Sequence, residues 1–174
     1  MRALIKAVDH LSQFSGLAAA QLYLVCAVIT TYEVVMRYVF GNPTQWAFEM
    51  VMVLCASAWM ISVGYITRHR RHIGITVLYI LAPKKVRFAL DLFANLVGLV
   101  AVLILAYAAW EPMIRTFERI ERSGSAFNSP QPTILKTVLV IGALLYALQL
   151  VVNVAKLIMA GPEGEPEPQL IDEG

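Results

Sequence analysis

The sequence predicts an all-α integral membrane protein with four transmembrane helices, both termini in the cytoplasm (N-in/C-in), and short interfacial amphipathic helices. Three observations predict it. Composition comes first: of 174 residues, 59% are hydrophobic and only 15% charged, with a mean hydropathy of +0.66. Soluble domains carry about 45–50% apolar and roughly 25% charged residues, and a chain of this size has too little interior to hide the excess. Second, residues 10–32, 50–67, 92–110 and 137–155 contain no Asp, Glu, Lys or Arg. Each stretch matches the roughly 20 apolar residues that cross a hydrocarbon core about 30 Å thick. Third, the Lys and Arg residues are unevenly placed. The net charge of +2 is no nucleic-acid signature.

The first span is expected over 11–36. Arg2 and Lys6 precede an apolar stretch containing Leu17-Ala18-Ala19-Ala20, which resembles a signal-peptide cleavage site. Apolar sequence runs on to Tyr32, however, beyond a normal signal core, and a retained helix is the better reading. The second span, 46–67, follows an Asn42-Pro43 turn. The link after it reads Arg68-His69-Arg70-Arg71-His72 and then Lys84-Lys85-Val86-Arg87, six cations with no acid before Asp91. With Arg2, Lys6 and Lys156 this side collects nine Lys/Arg against five on the other, which places the link and both termini in the cytoplasm by the positive-inside rule. Ile73–Ala82 is too short to span, and it reads as a segment lying on the inner surface.

The third span is expected over 87–111, with an amphipathic extension to Arg122 along the outer surface. Met113, Ile114, Phe117 and Ile120 recur at helical spacing. Glu111–Arg115 and Glu118–Arg122 are i,i+4 pairs in the favourable order, and Pro112 removes one backbone donor. Ser123-Gly124-Ser125 ends the extension, and Asn128-Ser129-Pro130-Gln131-Pro132 reads as the turn before a fourth span at 134–158. Residues 161–174, rich in Pro, Gly and Glu, read as a disordered cytoplasmic tail. Residues 1–160 then form a single membrane domain. Tyr38, Phe40, Trp46, Tyr107 and Trp110 mark the outer boundary, and Tyr65 and Tyr79 the inner one.

The chemical inventory is short. Cys26 and Cys55 fall deep within spans, where small apolar packing is the plain reading and a disulfide is not expected. His69 and His72, at i,i+3, sit among cations that make a poor metal site. No Ser/His/Asp set, paired carboxylate or Gly-rich phosphate loop is present, so neither an enzyme, a cofactor nor a metal is expected. Glu33, Glu49, Asp91 and Glu111 lie near span ends rather than at the midplane where transporters place ionisable groups. Gln149 and Asn153 share a face at i,i+4 and suit hydrogen bonding to a neighbouring helix. Ala94 with Gly98, and Ala143 with Ala147, suit close helix packing.

The most specific polar sequence is the outer hairpin, Arg37-Tyr38-Val39-Phe40-Gly41-Asn42-Pro43-Thr44-Gln45-Trp46-Ala47-Phe48-Glu49. It resembles the DctQ-like small membrane subunits of tripartite ATP-independent periplasmic (TRAP) transporters. In that family an Arg closes the first helix, an Asn-Pro turn follows, and Trp-x-x-Glu opens the second. Gly64 and His72-Ile73 match the family's Gly…His-Ile element, and the likeness covers roughly residues 10–160. Thr76 stands where an Asp is common, so whatever contact that Asp makes is in doubt here.

The resemblance implies a bacterial inner-membrane, multi-pass small subunit of a binding-protein-dependent, sodium-coupled secondary transporter for an organic acid. Its implied partners are a large TRAP membrane subunit, which it braces, a periplasmic substrate-binding protein, and the lipid bilayer. Arg37, Asn42, Pro43, Trp46, Glu49, Gly64 and His72 are the motif and subunit-interface candidates. Arg37 can pair with Glu33 or Glu49, and the hairpin residues either shape the turn alone or also touch partners. Arg115 and Arg119 are candidates for docking the binding protein. Two other readings compete. A self-sufficient small multidrug exporter would need a carboxylate deep in the bundle, and a membrane anchor of a respiratory oxidoreductase would need histidines placed to hold a haem.

Overall fold

The computed structural model describes residues 2–68 and 82–161. Among them all regular structure is helical: α1 (Arg2–Tyr38), α2 (Ala47–Arg68), α3 (Lys84–Glu118) and α4 (Gln131–Ala160). Each is long and apolar enough to cross a membrane. With 22 residues, α2 is about 33 Å long and just spans the core; α1, with 37 residues, and α3, with 35, exceed 50 Å and must project beyond it or tilt.

The third helix extends past Trp110 as expected, but the extension is shorter than Pro112–Arg122. α3 runs unbroken through Pro112 and stops at Glu118, with Arg119 as an extended C-cap whose N–H returns to the Arg115 carbonyl at 3.1 Å. The second pair of the expected extension, Glu118–Arg122, therefore never forms a helical i,i+4 contact. Residues 119–122 turn back instead, because their polar groups find partners in the loop that follows. The other proposed surface segment, Ile73–Ala82, lies outside the described residues except for Ala82, as do the tail from 162 on, His69, His72, Thr76 and Tyr79.

The helices do not form a symmetric bundle. α4 is the hub: α2 and α3 each pack on it, while α1 packs mainly on α2 and touches α4 more lightly. Small residues on α4 explain this position. A Cβ added to Gly142 would sit 2.8 Å from the Met60 carbonyl oxygen, so here α2 and α4 meet backbone to backbone. Ala143, Ala147 and Leu150 form the buried seam with Val102 and Ala106 of α3. The expected pair of small residues on α3 splits: Gly98 faces Leu150 and Tyr146 of α4, whereas Ala94 points outward. Most of the rest of α3 is exposed, from Phe93 to Trp110.

The cysteines depart from isolated packing. Cys26 is buried against α2, its Sγ lies 3.4 Å from Sγ of Cys55, and both are free thiols. A disulfide needs its sulfurs about 2.05 Å apart, so a small approach of α1 and α2 suffices. Treating the membrane-embedded protein with copper–phenanthroline should therefore give an intramolecular cross-link, read as a 2 Da mass loss that Cys26→Ser or Cys55→Ser abolishes. Two intact thiols after prolonged oxidation would contradict this α1–α2 register.

Candidate functional site

The polar side chains gather at the two ends of the bundle. At the α1–α2 hairpin end, α1 closes as Gly41 takes φ +63°, which a residue without a Cβ adopts freely, and the Asn42 N–H returns to the Met36 carbonyl at 3.0 Å. Pro43 follows in the exposed turn. One carboxylate organises the hairpin. Glu33 accepts from Arg37 Nη2 at 2.7 Å and Nε at 3.3 Å through one oxygen. Its other oxygen accepts from the Thr44 backbone N–H at 3.1 Å and from the Thr44 hydroxyl. The Trp46 ring, at the mouth of α2, stacks on Tyr32 with centroids 6.0 Å apart. Of the two partners open to Arg37, the structure selects Glu33.

Glu49 takes a different role. It is only 4% exposed, in the first turn of α2, and both its oxygens point into the α3–α4 loop. One oxygen accepts from the Ser123 hydroxyl at 2.9 Å and from that of Ser125; the other accepts from the Ser129 backbone N–H at 3.2 Å and from the Ser129 hydroxyl. A carboxylate withdrawn from water needs such donors. The loop is tied further by Ser123 N–H to the Ser129 carbonyl (2.9 Å), Arg122 to the Asn128 carbonyl (2.9 Å) and a Lys136–Glu121 ion pair (2.6 Å). Asn128, at φ +53°, makes the tight corner. Beside it, Glu111, Pro112, Arg115, Glu121 and Lys136 line an open groove of about 300 Å³. Arg115 pairs with Glu111 in an exposed i,i+4 contact, and the Arg119 side chain is exposed.

At the opposite end, charged and polar groups join three helices. Asp9 of α1 receives Lys156 of α4 on both oxygens at 2.7 Å, and Arg68 of α2 donates to the Asp9 carbonyl at 2.7 Å. Gln149, wholly buried, accepts from Ser12 at 2.6 Å and donates to Asn153 at 3.1 Å; Asn153 in turn donates to the Thr67 carbonyl at 3.1 Å. Gly64 lies at this crossing, where an added Cβ would stand 3.4 Å from Ser12 Oγ. Among the candidates, then, Arg37, Asn42, Pro43, Trp46 and Glu49 are brought together at one end, where Arg115 stands in the last turn of α3 and Arg119 at its C-cap. Gly64 stands apart near the other end, and His72 lies outside the described residues. The serine ring around Glu49 and the Asp9–Lys156 contact were not expected. Only the loop serines and the i,i+4 amides hinted at them.

Comparison with known proteins adds a direct finding. The family described as "Tripartite ATP-independent periplasmic transporters, DctQ component" matches residues 26–160. A protein named C4-dicarboxylate TRAP transporter small permease protein DctQ, from Vibrio cholerae serotype O1, is 32% identical over 85 residues. That alignment covers 48% of this chain and 36% of the relative's length, so the match spans about a third of that protein.

Proposed function

The chain belongs to the DctQ-component family of TRAP transporters, a transport family of inner-membrane small subunits rather than a known enzyme family, and on that premise we propose that it braces a large transport subunit. In this reading both termini are cytoplasmic, the hairpin and the α3–α4 loop face the periplasm, and a periplasmic binding protein delivers an organic acid that the large subunit moves with sodium. The name of the Vibrio relative makes a C4-dicarboxylate the first solute to test.

The observation that supports bracing most is how the helices are fixed. Glu49 clamps the α3–α4 loop to α2 at one end, and Asp9, Arg68, Gln149 and Lys156 bind α1, α2 and α4 at the other. A body pinned at both ends suits a static support, while the long exposed apolar face of α3 offers area for a larger membrane partner. Affinity purification of the tagged chain in mild detergent should bring down a many-helix membrane protein. Isolation alone, in cells whose uptake remains intact, would contradict the assignment.

The docking role proposed for Arg115 and Arg119 has its own test. Both are exposed, so replacing both by Glu should leave the membrane complex intact and lower binding-protein-dependent uptake by about tenfold, since complementary rim charges act mainly on association rate. Unchanged uptake would remove these residues from the docking surface.

A further inference from the structure

A groove of about 490 Å³ opens on the surface between the N-terminal half of α1 and the C-terminal end of α2. His10 and Gln13 form its rim, and Phe14, Leu17, Gly16 and Tyr65 lie below them. Its shape has a specific cause. Tyr65 lies directly across Gly16, where an added Cβ would come within 2.4 Å of the tyrosine ring, so only a glycine lets the ring settle against α1. Phe14 and Leu17 stand out on one side, 66% and 62% exposed.

The groove is graded in polarity. Lys6, His10, Gln13 and Leu17 follow one another at i,i+4 and i,i+3 steps, so they share a face of α1. From Lys6 to Leu17 the helix descends about 16 Å, from charge through polar groups to pure hydrocarbon. Arg68 bends over the rim, its Nη1 donating to Gln13 Oε1 at 3.2 Å. Of the described charges beside the groove, Asp9 receives Lys156 on both oxygens at 2.7 Å and has Arg68 Nε 3.9 Å from one of them, while Lys6, one turn nearer the N-terminus, is exposed, so three cations accompany one carboxylate there. A positive excess therefore stands above an apolar trough.

We propose that this groove is a binding site for one anionic phospholipid, its phosphodiester held by Arg68 and Lys6 and one acyl chain laid over Gly16 along Phe14, Leu17 and Tyr65. Charge complementarity selects this occupant. A zwitterionic lipid would bring an ammonium group to a rim that already carries excess cations, whereas a singly charged anionic headgroup neutralises them. The assignment requires only that the chain be embedded in a bilayer, and it stands or falls separately from the choice of transport partner.

Native mass spectrometry of the full chain, in mixed micelles containing equimolar dioleoyl-phosphatidylglycerol and dioleoyl-phosphatidylethanolamine, tests it. The wild type should retain one phosphatidylglycerol in clear preference. Lys6→Gln, an exposed change that spares packing, should reduce that preference by about fivefold, the usual effect of one basic residue beside an anionic headgroup. Arg68→Gln should reduce it at least as far, and Leu17→Trp, which fills the trough, should lower retention of both lipids. Equal retention of the two lipids by the wild type, or a preference unaltered in Lys6→Gln and Leu17→Trp, would overturn the site.

Discussion

Glu49→Ala should make the α3–α4 loop open to trypsin, with cleavage after Arg119 and Arg122 rising by about tenfold or more, because loss of a shared acceptor shifts local opening while the helices stay folded. In the native arrangement the carboxylate collects three serine hydroxyls and the Ser129 N–H, and so ties the loop to the first turn of α2. Alanine leaves those donors facing a gap. Glu49→Gln, which keeps the shape but loses the charge and one acceptor, should fall between the wild type and alanine. Limited proteolysis of right-side-out and inverted membrane vesicles, read by mass spectrometry, gives the rate and the side of cleavage together. Equal cleavage of the wild type and Glu49→Ala would mean that the loop is held by other contacts.

A second large effect is expected at Gly142. Leucine there must displace α2, since even a Cβ meets the Met60 carbonyl at 2.8 Å and the backbone of Met60 beyond it. Overpacking costs about 1–3 kcal/mol where side chains can shift, and a backbone obstacle puts this change at or above the upper end. The α2–α4 contact is the most extensive of those that join the α1–α2 pair to the α3–α4 pair, so the change should loosen the whole assembly. Reversible unfolding in mixed micelles of sodium dodecyl sulfate and a mild detergent, followed by circular dichroism, should show a lower midpoint for Gly142→Leu and a smaller loss for Gly142→Ala. A leucine variant with the wild-type midpoint would show that this crossing is looser than described.

The fold was legible because its main signal is chemical. Charge is expensive in hydrocarbon, so the uncharged stretches had to become the helices, and they did. What escaped was whatever depends on three-dimensional pairing. The helical spacing beyond Pro112 carries the expected extension to Arg122, yet α3 stops at Glu118, where the serine loop begins to take up polar groups. Glu49 reads in the sequence as a carboxylate near a span end and part of the hairpin motif. Its partners lie more than 70 residues away, and no local pattern joins them. Gly142 stands inside an apolar run where a glycine reads as neutral, and only the approach of Met60 gives it meaning. Cys26 and Cys55 were each assigned correctly to apolar spans, but their adjacency follows from the α1–α2 register, which periodicity leaves free. The i,i+4 spacing of Gln149 and Asn153 did point to helix–helix bonding, and the structure supplies Ser12 and the Thr67 carbonyl as the partners.

Bracing without a private solute path is the claim on which the functional account rests, and transport by reconstituted vesicles tests it most directly. Proteoliposomes containing this chain together with its large membrane subunit, supplied with the binding protein, an organic acid and a sodium gradient, should accumulate the acid. Those holding the large subunit without this chain should fall to near background, and those holding this chain alone should take up nothing. Uptake by the chain alone, or full uptake in its absence, would contradict the account.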